Sequence, residues 1–219
     1  MQDWFPLWLS LRVATIATAL AGATGITLAY VLAKGRFRGR GLLEAIVTVP
    51  IVLPPTVLGY YLLVSLGSNS PIGRAWEAIF GQPLVFTPTA TVVAASVSAL
   101  PFVVRTSRAA IEDVDPQLEA ALRVAGHPEW RVAMLATLPL ARRGLLAGVA
   151  LGFARALGDF GATVMVAGNI PGRTQTLPIA VYDAVQAGND TAAQTGSTVL
   201  AAIAIVTLLV VTGLSRRRA

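Results

Sequence analysis

The sequence predicts an all-α integral membrane protein with five core spans, and three observations carry that prediction. Hydrophobic residues make up 55% of the 219 and charged residues only 13%, where a soluble domain has about 25% charged. Uncharged runs recur at the length a bilayer core demands, about 20 helical residues for roughly 30 Å. Basic residues gather in alternate connections instead of spreading along the chain. Cysteine is absent and His127 is the only histidine, which removes disulfides, thiol catalysis and a histidine-rich metal site together.

The first span, about residues 11–33, contains the run VATIATALAGATGITLAYVLA from Val13 to Ala33. Asp3 precedes it and KGRFRGR follows it, the reverse of a cleaved signal peptide. It is therefore expected to be a retained anchor with its N-terminus outside. The second span, 44–66, holds Pro50, Pro54 and Pro55. Their missing backbone donors predict a kinked or locally unwound helix, which serves either as a gate hinge or as fixed irregular packing. The third span, 87–108, is less oily. The fourth, 144–167, carries Arg155 and Asp159, and the fifth, 193–214, carries no charge.

Thirteen of the 17 basic residues lie in three places: Lys34, Arg36, Arg38 and Arg40; Arg105, Arg108, Arg123, Arg131, Arg142 and Arg143; and Arg216, Arg217 and Arg218. With five spans all three fall on one side, and basic connections stay in the cytoplasm. The N-terminus is then outside and the C-terminus cytoplasmic. The net charge of +6 reads as a topology signal, with the lipid bilayer as partner and no nucleic acid.

Residues 115–143 interrupt the oily chain. Asp115 before Pro116 is a helix start, a capping acceptor ahead of a proline at the first helical position. Leu118, Ala121, Leu122 and Ala125 then fall on one stripe, and Glu119 and Arg123 stand four apart on another face. Gly126 ends that helix, and Pro128 starts a second with Trp130, Met134 and Leu138 spaced by four. Pro139 is expected to stop it. Two short helices joined at a glycine are either an amphipathic connector on the lipid surface or a docking surface for a partner.

In the fourth span Arg155 and Asp159 are four residues apart, which puts them on one helical face, with Arg155 about 16 Å deep at 1.5 Å per residue. Ionised groups at such depth are expensive and face a partner or water. They either attract an anion within a pathway or form a structural ion pair. Gly158, Gly161 and Ala162 permit close helix contact, within the chain or between two copies. GDFGA, from Gly158 to Ala162, shares letters with a kinase metal-binding motif but has no other kinase element around it. A P-loop needs Gly-Lys before Ser or Thr, and the only lysine is Lys34, in AKGR.

The 115–143 segment resembles the cytoplasmic motif of permease subunits of ABC importers: E-A-A, three residues, G, nine residues, I-x-L-P. Gly126 precedes Pro139 by that spacing, with Leu138 completing the Leu-Pro pair. Glu119, Ala120 and Ala121 supply E-A-A one position early, and Ala136 stands at the isoleucine position. PIVLPPTVLGYYLL, from Pro50, and ARALGDFGATVMVAGNIPGRTQTLPIAVYDA, from Ala154, are similar to molybdate permeases, with Asp159 where that family usually has glutamate. The resemblance runs over residues 8–215.

That resemblance implies a type I ABC importer transmembrane domain in the inner membrane of a prokaryotic cell, moving molybdate, or tungstate, into the cytoplasm. It implies a homodimer, two separate cytoplasmic ATPase subunits docked on the 115–143 loops, and an extracytoplasmic molybdate-binding protein. The chain itself binds no cofactor on this reading, ATP being used by the partner. The segment from Asn169 to Asp190, with a turn at Pro171-Gly172, then meets the binding protein or dips into the pore. The alternatives are a sulfate permease of the same kind, a membrane enzyme, and a carrier or channel that uses no ATP.

Overall fold

A computed structural model describes residues 4–216, so Asp3 and the basic residues Arg217 and Arg218 lie outside the described residues. All regular structure among them is helical. In chain order the helices are α1 (Phe5–Lys34), α2 (Arg40–Val52), α3 (Pro55–Leu66), α4 (Pro71–Phe80), α5 (Pro88–Glu112) and α6 (Pro116–Val124). There follow α7 (Glu129–Val132), a π turn (Ala133–Thr137), α8 (Leu138–Leu157), α9 (Gly161–Ala167), α10 (Leu177–Gln186) and α11 (Asp190–Arg216). Four stretches are long and apolar enough to cross a membrane, or five if α2 and α3 together count as one.

The helix starts have local causes. Ser70 Oγ accepts from Gly73 N at 2.8 Å, Thr87 Oγ1 from Ala90 N at 3.3 Å and Asp115 Oδ1 from Gln117 N at 2.8 Å. Each is followed by a proline in the first turn, where the missing N–H costs nothing.

The core is a packed trio of α1, α5 and α8. Small residues face inward: Ala14, Ala17 and Ala21 of α1 meet Ala95 and Ala99 of α5, with Leu157 of α8 closing the cluster. Val103 fits between Gly25 of α1 and Gly152 of α8; a Cβ on either glycine would come within 2.9 Å or 2.6 Å of its methyls. Such close backbone approach is how helices associate where lipid supplies no hydrophobic driving force. α11 lies against α8 and α10.

Contacts fix which helix ends share a side. Lys34, at the end of α1, is bonded to Glu119 beyond the end of α5, and Arg108 of α5 is bonded to Glu44 of α2. At the opposite end, Leu177 N donates to Ser10 Oγ at 2.7 Å. The chain between α1 and α5 must therefore return from one side to the other through α2 and α3.

The kink expected in the second span is present, and two other expectations require correction. The second span is two helices bent by 117°, parted at Leu53-Pro54, because consecutive prolines leave Leu53 extended and allow α3 to start afresh at Pro55. The fourth is not one helix: α8 ends at Leu157 and α9 begins at Gly161, so Arg155 and Asp159 do not share one helical face. Pro139 does not stop the helix after Gly126. Its missing N–H and its ring are absorbed by the wider π turn just before it, in which Leu138 N reaches back five residues to Ala133 O.

Candidate functional site

The polar segment folds as its local signals require. At the end of α6 Gly126 takes φ +84°, and the turn closes with Gly126 N to Arg123 O at 3.0 Å and His127 N to Leu122 O at 3.1 Å. That pair of bonds is a Schellman cap, which needs a left-handed residue at this position. α7, the π turn and α8 then continue as one rod into the core.

α6 turns its charge inward and its oil outward. Glu119 is its only buried residue, 3% exposed, whereas Leu118 is 49% and Val124 90% exposed. The Glu119 carboxylate receives Lys34 Nζ at 2.8 Å and Thr137 Oγ1 at 2.7 Å on Oε1, with Arg123 Nη2 at 3.5 Å from Oε2. Burial pushes this carboxyl up. The hydrogen bonds from Lys34 and Thr137 and the charges of Lys34 and Arg123 outweigh that and hold it below its ordinary value of 4.5. Arg123 makes its shorter bonds across the glycine corner, Nε to Glu129 Oε1 at 2.7 Å and Nη2 to Oε2 at 3.2 Å.

The apolar stripe of α6 faces an open groove of about 800 Å³ lined by Leu118, Ala121 and Leu122 on one side and Leu135, Pro139 and Leu140 on the other. Arg142 and Arg143 stand at its rim. Ala120 is exposed, while Leu138 is half-buried against the cluster around Ile111 and Ala141. Trp130 and Met134 are exposed on the same rod.

A second constellation sits at the break between α8 and α9. Asp159, 2% exposed, takes Arg155 Nη2 at 2.9 Å and Ser98 Oγ at 3.0 Å on Oδ1. Its Oδ2 accepts from Thr163 N at 3.0 Å and Thr163 Oγ1 at 2.7 Å. One carboxylate thus joins α5, α8 and α9 and satisfies a donor at the start of α9. Gly161 and Ala162 approach α3 closely, at Pro55 and Gly59, whereas Gly158 is exposed and approaches no neighbouring helix. Pro50 lies inside α2; Pro54 and Pro55 stand at the bend.

The sequence profile of the family described as binding-protein-dependent transport system inner membrane component matches residues 25–218. The chain belongs to that family. As such a component, with several apolar helices, it is a multi-pass inner membrane protein. It is 40% identical to the molybdenum transport system permease protein of Escherichia coli (strain K12) over 98% of this chain and 94% of that one. A sulfate transport system permease protein of Synechocystis is 36% identical over 93% of this chain and 73% of that protein. Among solved structures, an inward-facing form of the MetNI methionine ABC transporter aligns over 99% of both chains with a TM-score of 0.74. At 19% identity that likeness is one of fold, and it is the type I importer fold expected from the motif.

The structure brings Glu119, Gly126 and Pro139 of this inner membrane component into one corner of the fold, with Arg155, Asp159 and Gly161 in another. It adds two residues that the sequence reading had not placed at the site, Lys34 and Thr137. The single lysine of the chain was a visible signal, but it read only as topology and as evidence against a P-loop.

Proposed function

We propose that the chain is the membrane-spanning subunit of an ATP-driven importer that carries molybdate, with tungstate as a chemically similar second substrate, into the cytoplasm. The observation that supports this best is the 40% identity to the Escherichia coli molybdenum permease over nearly the whole of both chains. The sulfate relative is less similar and is matched over less of its length.

On this reading the basic face, which carries Lys34, α6 and α7, is cytoplasmic, and the N-terminus is outside. α6, the Gly126 corner and the apolar groove form the surface for a separate ATPase subunit. The groove is concave, apolar and rimmed by arginines, which suits an amphipathic partner better than a lipid plane. With Lys34 outside any P-loop pattern, nucleotide is expected to be bound by that partner and no cofactor by this chain. Two copies form the pathway, two ATPases drive it, and an extracytoplasmic binding protein delivers the oxyanion near α10 and the 168–176 turn.

Arg155 and Asp159 act as a structural pair in this scheme. Asp159 is already engaged by Arg155, Ser98 and Thr163, which leaves it little capacity to attend to a passing anion. The bend at Pro54-Pro55 is the hinge about which α3, with α9 packed on it, changes its angle to α2.

The test is uptake into vesicles bearing this chain, its ATPase and its binding protein. Labelled molybdate should accumulate with ATP and be displaced by tungstate but not by a hundredfold excess of sulfate, a ratio of about 3 kcal/mol in affinity. Uptake displaced by sulfate and indifferent to molybdate would move the chain to the sulfate permeases.

A further inference from the structure

The buried carboxylate of α6 does a job that a docking surface does not require. α6 leans on α7 and the π turn, yet contributes no buried apolar side chain to the body of the protein; Glu119 is its one buried residue. What ties α6 inward is therefore polar and directional. Lys34 Nζ and Thr137 Oγ1 share Glu119 Oε1, at 2.8 Å and 2.7 Å. Lys34 is the last residue of α1, which packs along α5 and α8 at the centre of the bundle. Thr137 is the last residue of the π turn, 1% exposed, and leads directly into α8.

We propose that Glu119 is a positioning residue that fastens the coupling helix to two core helices at once, to α1 through Lys34 and to α8 through Thr137. This deepens the reading of residues 115–143 as the ATPase-coupling loop and rests on it. A contact made only of apolar side chains slides; a buried, hydrogen-bonded ion pair holds a fixed geometry. When the partner displaces α6, the displacement reaches the end of α1 and the start of α8 together. Without the pair, it is taken up at the Gly126 corner and in the connection from Gly35 to Gly39. The π turn fits this role, since its looser hydrogen bonding allows a small change of register beside Thr137.

The experiment uses the assembled complex in proteoliposomes, with ATP hydrolysis and molybdate uptake measured on the same preparation. Lys34→Met should still co-purify with the ATPase and hydrolyse ATP, while the ATP used per molybdate imported rises about fivefold or more. Lys34→Arg should restore the wild-type ratio, and Thr137→Val should fall between the two. Because the chain has no cysteine, Lys34→Cys with Glu119→Cys can be bridged by a short bifunctional thiol reagent. Bridging should restore the coupling that the unbridged double variant lacks. An unchanged ATP-to-molybdate ratio in Lys34→Met overturns the proposal. So does loss of the ATPase from that variant, which makes the pair a docking contact. Should Lys34→Met not reach the membrane, the bridged and unbridged double variant decides alone, and equal coupling in its two forms overturns the proposal. A wild-type complex that imports no molybdate faults the substrate assignment instead, and the same ratios are then read with the oxyanion it does import.

Discussion

A Cβ added to Gly161 would stand 2.7 Å from the Cβ of Pro55 and 3.2 Å from its carbonyl carbon. The start of α9 thus presses its backbone against the start of α3, immediately after the 117° bend. Rigid neighbours cannot yield as a flexible side chain would.

Gly161→Ala is accordingly expected to cost about 1–3 kcal/mol, the usual toll of overpacking, and to lower the melting midpoint in detergent. Gly158→Ala is the control. Its added Cβ meets only Ala154 O, at an ordinary 3.5 Å, and its midpoint should stay at that of the wild type. Equal midpoints for the two variants would argue against the close approach.

The Arg155–Asp159 pair should behave as structure and not as pathway. Arg155→Gln leaves Asp159 with Ser98 and Thr163, so the loss should be moderate, about 1–3 kcal/mol for a partly exposed partner. Asp159→Leu strips all of these partners at once and should cost more. Melting in detergent gives the order. Molybdate uptake by Arg155→Gln at a temperature where it is folded should remain within a few-fold of wild type; abolished uptake in a well-folded variant would restore the pathway role.

Gly126 is open to solvent, with nothing within 4 Å of an added Cβ, but its φ is +84°. The penalty for substitution is therefore conformational and not steric. Gly126→Val should cost roughly 1–2 kcal/mol locally and uncouple hydrolysis from import. Gly126→Asn, which tolerates the left-handed region better, should keep most of the coupling. The readout is stimulation of ATP hydrolysis by the loaded binding protein.

Acid should release the α6 fastening. The Glu119 carboxyl lies below its ordinary 4.5 in the folded protein, so its contribution is complete above that value and is lost as pH falls through the folded one. Arg123 stays protonated throughout, its guanidinium held above its ordinary range chiefly by the hydrogen bond to Glu129, and Thr137 does not titrate. Acid unfolding in detergent, followed from pH 6 downwards, should separate wild type from Glu119→Gln above about pH 4.5 and bring them together below it. A constant gap across the whole range would sink the assignment.

Signals that act within one turn were legible in the sequence. Asp115-Pro116 starts a helix, Gly126 closes it, and the prolines near residue 54 break the second span, because each effect depends on its immediate neighbours. The partner of Glu119 was not legible. Arg123 stands at the right helical spacing, but the folded chain brings Lys34 and Thr137 closer and gives Arg123 chiefly to Glu129. Likewise the stretch from Gly144 to Gly168, interrupted only by Arg155 and Asp159, reads as a single span and hides the break at Gly158. There the buried carboxylate of Asp159 takes over bonding that a continuous helix would have supplied. Pro139 misled for a related reason: a proline ends a helix only if the preceding turn keeps α geometry, and here it widens.

The outward-facing oil of α6 and α7 has a consequence for the life of the protein before assembly. Val124, Trp130, Met134 and Leu135 lie uncovered on the α6–α8 segment, so, if the proposed ATPase docks there, a subunit without it displays the kind of greasy handle that chaperones hold and proteases cut. On the proposed reading, the surface that would receive the motor would also report whether the motor has arrived, and an unpaired copy would be marked for removal by its own unfinished face.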